Sequence, residues 1–221
     1  MIMTKKSKSK SKIEKPRIND GLLSMDLQEI INDEEEYSSG EVNDLHFRPH
    51  SADKIRFDQM VFRHVSFENV QFRNVEFTDV IFEKCNLSNV DFSDAIIHRV
   101  EVNQSKLTGG NLSGATLRNV SFHNCVANYS TFGFSDSKQV AFKETSLIET
   151  DFYESTFKNV AFKSCRMDGC NFAETSLDGI DLSSSSFDSL IVSLDKLTGC
   201  TVTSEQAIGL SKILGLNIKD E

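Results

Sequence analysis

Large apolar residues recur along most of this chain at every fifth position. From Phe57 the series runs Phe62, Phe67, Phe72, Phe77, Phe82, Leu87, Phe92, Ile97, Val102, Leu107, Leu112, Leu117 and Phe122. It continues to Leu197 with only Ala127 and Ser137 not large and apolar. Of the 17 Phe residues, 16 share this frame and Phe134 stands outside it. Two residues ahead of each large residue sits a smaller one: Val65, Val70, Val75, Val80, Cys85, Val90, Ala95, Val100, then Ser105, Gly110, Ala115, Val120 and Cys125. The remaining three positions of each pentad are polar, as in NVQFR and NVEFT. Spacings of two and three in alternation fit neither a helix of 3.6 residues per turn nor an unbroken alternating strand.

The pattern fits a chain that runs for two or three residues as a strand, with the small and the large residue on one side, and then turns a corner. Corners in one sense point every small and large residue at a common axis, and four pentads close a coil of twenty residues. The second residue after each large one is often Asn, Asp or Gly (Asn69, Asn74, Asp79, Asn89, Asp94, Gly109, Gly114, Asn119, Asn124), types that accept unusual turn angles. Residues 55–194 hold 28 pentads, hence seven coils; at the spacing of neighbouring strands they stack into a rod about 34 Å long.

This register resembles that of the pentapeptide-repeat proteins: a small residue, a polar one, a central Leu or Phe, and two more polar residues. The resemblance implies an all-β fold, a right-handed quadrilateral β-helix. Quinolone-resistance members of that family end in a short helix through which two rods join end to end. Here Thr203 to Gln206 reads as a capping box, and Ala207, Ile208, Leu210 and Leu214 give an apolar face before Gly215. The expectation is a helix over 204–214 that either caps the rod or makes a homodimer.

Length and charge complete the layout. At roughly 100 to 200 residues per domain, 221 residues give one domain with appendages. Residues 1–20 carry seven Lys or Arg against Glu14 and Asp20 and read as a disordered basic tail, able to touch nucleic acid or anionic lipid. Residues 21–46 carry eight acids and no Lys or Arg; with Leu23, Leu27, Ile30 and Ile31 at helical spacing they read as an acidic cap. The rod then occupies 47–202 and the C-terminal cap 203–221. No apolar stretch suits a membrane span or a secretory signal, which suggests a cytoplasmic protein. The formal charge of −9 argues against nucleic acid as a whole-surface partner of the rod.

Catalytic and metal chemistry find little support. All five Cys (Cys85, Cys125, Cys165, Cys170, Cys200) fall in the small inward series, and neighbours forty residues apart would lie two coils from each other, beyond disulfide reach. His46 and His50 form an HxxxH without a further ligand at fitting distance. A rod filled with side chains offers no cleft, so neither an enzyme nor a cofactor site is expected.

Function then rests on the outward residues. The resemblance implies a specific use, because the quinolone-resistance members resemble B-form DNA in width and charge and bind type II topoisomerases such as DNA gyrase. The acidity here sits in the C-terminal half, where Glu154 with Glu174 and Asp168 with Asp188 are twenty apart, with Glu144, Glu149, Asp151, Asp178 and Asp181 nearby. Arg56, Arg63, Arg73, Arg99 and Arg118 interrupt the N-terminal half. The leading expectation is a partial DNA mimic that modulates a topoisomerase or protects it from quinolones. The alternative is a scaffold that docks its partner through the tail or the acidic segment.

Overall fold

Residues twenty apart lie side by side. In the computed structural model, which describes residues 12–211, Phe57 faces Phe77, Phe62 faces Phe82, Val120 faces Val140 and Phe142 faces Phe162 across parallel strands. Strands β1 (Leu23–Ser24), β2 (Glu36–Asn43), β3 (Arg56–Arg63), β4 (Glu76–Glu83), β5 (Ile96–Asn103), β6 (Thr116–His123), β7 (Asp136–Lys143) and β8 (Thr156–Lys163) form one parallel sheet in sequence order. A second sheet pairs β9 (Cys170–Phe172) with β10 (Leu190–Val192). The result is a parallel β-solenoid of about eight turns, against the seven expected.

The corners are set by backbone angles. In one turn Gln59, His64, Asn69 and Asn74 all have φ between 52° and 61°, in the left-handed region. These four residues mark the corners, and Phe57, Phe62, Phe67 and Phe72 are the central core residues of what are called here the first, second, third and fourth sides. Asn, Asp and Gly tolerate the left-handed region best, which is why they recur there. At Gly109 and Gly114 a second reason applies: a Cβ would meet Asn89 Oδ1 at 2.5 Å and Asp94 Oδ1 at 2.4 Å, because the corner side chain of the preceding turn fills that space.

Phenylalanine columns fill the axis. Rings stack along the rod (Phe122–Phe142 4.8 Å, Phe132–Phe152 5.2 Å, Phe152–Phe172 5.1 Å) and meet edge to face across it (Phe142–Phe152 5.7 Å). Around residues 97–117 the stacks are interrupted by Ile97, Val102, Leu107, Leu112 and Leu117, and an apolar void of about 20 Å³ remains there. The small inward positions do more than fill space. Thiols and hydroxyls donate to the carbonyl 23 residues earlier: Cys125 to Val102 at 3.2 Å, Cys170 to Leu147 at 2.8 Å, Ser155 to Phe132 at 2.8 Å, Thr175 to Phe152 at 2.6 Å. All five cysteines are free; burial pushes Cys85 and Cys125 up to about 11 and Cys170 up to about 12, so these thiols stay protonated and act as small core residues.

The N-terminal end differs from the sequence expectation. Residues 21–46 form no helical cap: β2 pairs with β3 in the twenty-residue register, so Tyr37 and Val42 extend the frame backwards, and Leu27 and Ile31 close the end of the core while Leu23 and Ile30 point outward. The opening is finished by His50, whose Nε2 accepts the Ile31 amide at 3.0 Å. Residues 12–20, expected within a disordered tail, lie along the corner between the first and second sides. Lys12 O accepts from Gln139 Nε2 (3.2 Å), the Glu14 amide donates to Asn119 Oδ1 (3.1 Å), the Arg17 amide to Asp79 Oδ1 (2.8 Å), and Asn19 Nδ2 to Gln59 Oε1 (2.5 Å). Four contacts spaced by multiples of twenty make this segment an extended strap that runs antiparallel to the climb of the coil. Residues 1–11 lie outside the described residues.

At the other end the capping box forms as the sequence predicts. The Thr203 amide donates to Gln206 Oε1 at 2.9 Å and the Gln206 amide to Thr203 Oγ1 at 3.1 Å, which starts α1 (Ser204–Ser211). Gln206 Nε2 also donates to the Leu182 and Ser185 carbonyls (3.1 and 2.7 Å) and so ties α1 to the last turn. Leu210 packs on the core, Ala207 and Ile208 face outward, and Leu214 lies outside the described residues. No helix among the described residues is long and apolar enough to cross a membrane.

Candidate functional site

The solenoid sorts the outward residues by side, and that sorting divides the predicted acidic set. Asp151 lies on the fourth side, Glu149 at the corner it shares with the third side, and Glu154 and Glu174 at the corner it shares with the first. Asp168 and Asp188 stack on the third side next to the same Glu149 corner, and the Asp188 amide donates to Asp168 Oδ1 at 2.7 Å. These six carboxylates rim one side of the rod. The other three do not join them: Glu144 sits at the corner of the second and third sides, Asp178 on the first side and Asp181 on the second.

The fourth side is also free of basic residues from Val90 onward: its pentads read VDFSD, GNLSG, STFGF, TDFYE, CNFAE and LIVSL. Among the described residues, Glu149, Asp151, Glu154, Asp168, Glu174 and Asp188 form no ion pair, whereas Glu144 pairs with Lys143 (3.4 Å) and lies 3.3 Å from His123 Nε2. Neutral groups order the carboxylates: Asp151 Oδ1 accepts Asn171 Nδ2 and the Tyr153 amide (2.9 and 3.0 Å), and Glu174 Oε1 accepts Ser193 Oγ at 2.9 Å. The N-terminal half is different. Each arginine that interrupts it is paired: Arg56 with Glu36 and Glu76, Arg63 with Glu41 and Glu83, Arg73 with Asp91, Arg99 with Asp79, Arg118 with Asp136. Residues 47–130, with nine basic and nine acidic residues, present a neutral mosaic, and the fourth side of the C-terminal half an uncompensated negative field.

Aromatic residues that the sequence reading passed over share this side. Phe134, the one Phe outside the frame, is 60% exposed, and its ring meets that of Tyr153 edge to face at 5.5 Å. Tyr129, also 60% exposed, stands on the opposite edge of the same side. Tyr129 and Phe134 occupy corner positions with φ near 60°, a region that disfavours bulky residues. Phe134 thus holds a large exposed ring on a backbone conformation that costs it energy. Its departure from the frame was the available signal.

The family is decided by comparison with known sequences. The sequence profile for the pentapeptide repeat region matches residues 75–150, and that for pentapeptide repeats in eight copies matches residues 138–172. An uncharacterized protein of Bacillus subtilis (strain 168), YisX, is 40% identical over 207 residues, which span 94% of this chain and 98% of YisX. The chain belongs to the pentapeptide-repeat family. Among solved structures, a trypsin-treated variant of QnrB1, a plasmid-mediated fluoroquinolone resistance protein, is 14% identical, covers 84% of this chain and all of that one, and has a TM-score of 0.38. HetL, involved in heterocyst differentiation regulation in the cyanobacterium Nostoc sp. strain PCC 7120, is 10% identical with a TM-score of 0.30; the match spans 77% of this chain and 86% of HetL.

Proposed function

We propose that this pentapeptide-repeat protein is a non-enzymatic protein-binding rod that docks through its acidic fourth side on a basic, DNA-binding groove. The partner proposed is a type II topoisomerase such as DNA gyrase, which the rod modulates or shields from quinolones as a partial DNA mimic. The observation that carries this reading is the run of carboxylates without a basic neighbour, Asp151, Glu154 and Glu174 on the fourth side with Glu149, Asp168 and Asp188 on its rim. Such a field draws a positive groove by long-range attraction and sets orientation on contact. The same proposal lets two rods meet at their C-terminal ends, where Ala207 and Ile208 face outward.

The test is gyrase supercoiling titrated with the full chain, with and without a quinolone. Inhibition, or relief of the drug's effect, is the expected result; no change at micromolar concentrations would contradict the topoisomerase assignment.

A second reading, a scaffold for a different protein, is favoured by Tyr129 and Phe134, since a plain charge mimic has no need of exposed rings. Those rings give a prediction that holds for either partner. Phe134→Asn trades an edge contact for a residue that tolerates the left-handed corner, so its stability should stay within about 1 kcal/mol of the parent. Partner affinity should fall by more than about tenfold if Phe134 is a contact anchor. Thermal melts beside a binding titration read the two separately. To ask whether the tail is the docking element, the cut belongs before Lys12, because removal of residues 1–46 would take away the strap and the first turns together.

A further inference from the structure

Diagonally across the rod from the Glu149 corner, the C-terminal half carries the opposite charge. β7 and β8 place Lys138 opposite Lys158 and Lys143 opposite Lys163, so two lysine pairs flank the corner at Gln139 and Asn159. Like charges directly across parallel strands destabilise a sheet. Further down, the column of Lys143 and Lys163 instead sets Arg63 against Glu83 at 3.0 Å, and the outward columns on either side of Lys138 set Arg56 against Glu76 at 3.2 Å and Arg99 against Asp79 at 2.6 Å, whereas Lys138 itself faces Arg118. Among the described residues Lys138, Lys158 and Lys163 form no ion pair, and Lys143 meets only its neighbour Glu144. The strap brings a fifth lysine to the same place, because Lys12 is held at Gln139, and Lys5, Lys6, Lys8 and Lys10 precede it in the chain.

We infer that this corner binds the phosphate backbone of double-stranded nucleic acid, without sequence readout. Lysine is a point charge suited to phosphates rather than to base edges. Single strands are held by stacking on aromatic rings, and the exposed rings Tyr129 and Phe134, with the half-buried Tyr153, all lie away from this corner. Lipid surfaces require an apolar face beside the charge, and the outward residues between the lysine columns are Gln139, Ala141, Asn159 and Ala161. Six of the carboxylates lie on the far side of the rod, and Glu144, Asp178 and Asp181, on the sides that meet here, bound the lysine patch at its edges. The rod is thereby electrically two-sided, one surface fitted to a basic protein and the other to the nucleic acid such a protein binds.

The experiment is fluorescence anisotropy of a labelled mixed-sequence duplex with the full chain over a series of salt concentrations. The comparison variants are Lys138→Gln/Lys143→Gln/Lys158→Gln/Lys163→Gln and a chain that starts at Lys12. Binding of the non-specific kind is expected, with log K falling against log salt by about 0.9 per phosphate contact. The quadruple variant should lower that slope by roughly 3 to 4 and weaken binding at least about tenfold at low salt, while removal of residues 1–11 weakens it only in part. A melt of the quadruple variant serves as the folding control and should be no lower than the parent's, because the substitution relieves like-charge pairs. The proposal fails if the quadruple variant binds the duplex as the parent does, or if removal of residues 1–11 alone abolishes binding. It also fails if anionic phosphatidylserine vesicles or a single strand bind more tightly than the duplex.

Discussion

Replacement of Phe152 by Ala should lower the stability of the rod by about 3 to 5 kcal/mol. Phe152 is 1% exposed and its ring meets five others: Phe132 and Phe172 in its own column, Phe157 on the neighbouring first side, and Phe142 and Phe162 on the second side across the axis. A solenoid has no second core to share the loss, and each turn is held by its two neighbours. The backbone at this level is fixed by the ladder itself, with the Phe152 amide bonded to the Asn171 carbonyl at 2.7 Å, so the walls do not close on the void. For a protein of this size the penalty corresponds to a fall in Tm of about 6 to 20 °C. A melt of Phe152→Ala within a degree or two of the parent would show that ring stacking is not what holds these turns together.

The second large effect concerns the strap. Asp79 and Arg99 form a bidentate pair at 2.6 Å, with both side chains largely covered, and the Arg17 amide adds a third bond to the carboxylate. Removal of one partner from such a pair leaves a covered charge without compensation, at a cost of about 3 to 5 kcal/mol. Here the strap is the cover, so the molecule escapes most of that cost by releasing it. Arg99→Ala is therefore expected to leave the melt of the rod almost unchanged while trypsin cleavage at Arg17 rises by about 100-fold, since cleavage tracks the open population. Cleavage at the parent's rate would mean that the strap docks without help from this pair.

The pair also gives a pH dependence with a definite sign. Burial pushes the Asp79 carboxyl up, but the hydrogen bonds from Arg99 and the Arg17 amide outweigh it and hold the carboxyl below its usual range. A group depressed in the folded state stabilises above its unfolded value, near 3.9, and that contribution is lost as pH falls through the folded value. Hydrogen exchange at the Arg17 amide, corrected for the intrinsic rate, should show steady protection from pH 8 down to about 5 and a decline below about 4. In Asp79→Asn the same plot should be flat.

The sequence was legible where one residue type repeated and mute where a contact joined distant segments. Core, corners and register followed from the five-residue period, and the stacking of Glu154 with Glu174 and of Asp168 with Asp188 from counting by twenty. The first turns escaped that count because Glu35, Gly40, His50 and Ala52 stand at inward positions that elsewhere hold larger or more apolar residues. The strap leaves no trace in periodicity, since its main partners are backbone amides of Glu14 and Arg17 bonded to residues 105 and 62 positions away. Its docking strip was nonetheless present as a column twenty residues apart, Gln59, Asp79, Arg99, Asn119 and Gln139, polar at every step. Proximity in sequence also grouped Glu144, Asp178 and Asp181 with acids that the four-sided geometry places on another surface, and only that geometry sets Lys138, Lys143, Lys158 and Lys163 around one corner.

The claim that the fourth side is the protein-binding surface is tested most directly by two charge reversals of equal size on opposite surfaces. Glu154→Lys/Glu174→Lys and Lys158→Glu/Lys163→Glu each change two exposed charges without touching the core, and both can be compared with the parent for half-maximal inhibition of gyrase supercoiling. Reversal at the fourth side should raise the required concentration by more than about tenfold, and reversal at the lysine corner should leave it unchanged or lower it. Equal effects from the two pairs, or a larger effect from the lysine pair, would contradict the assignment.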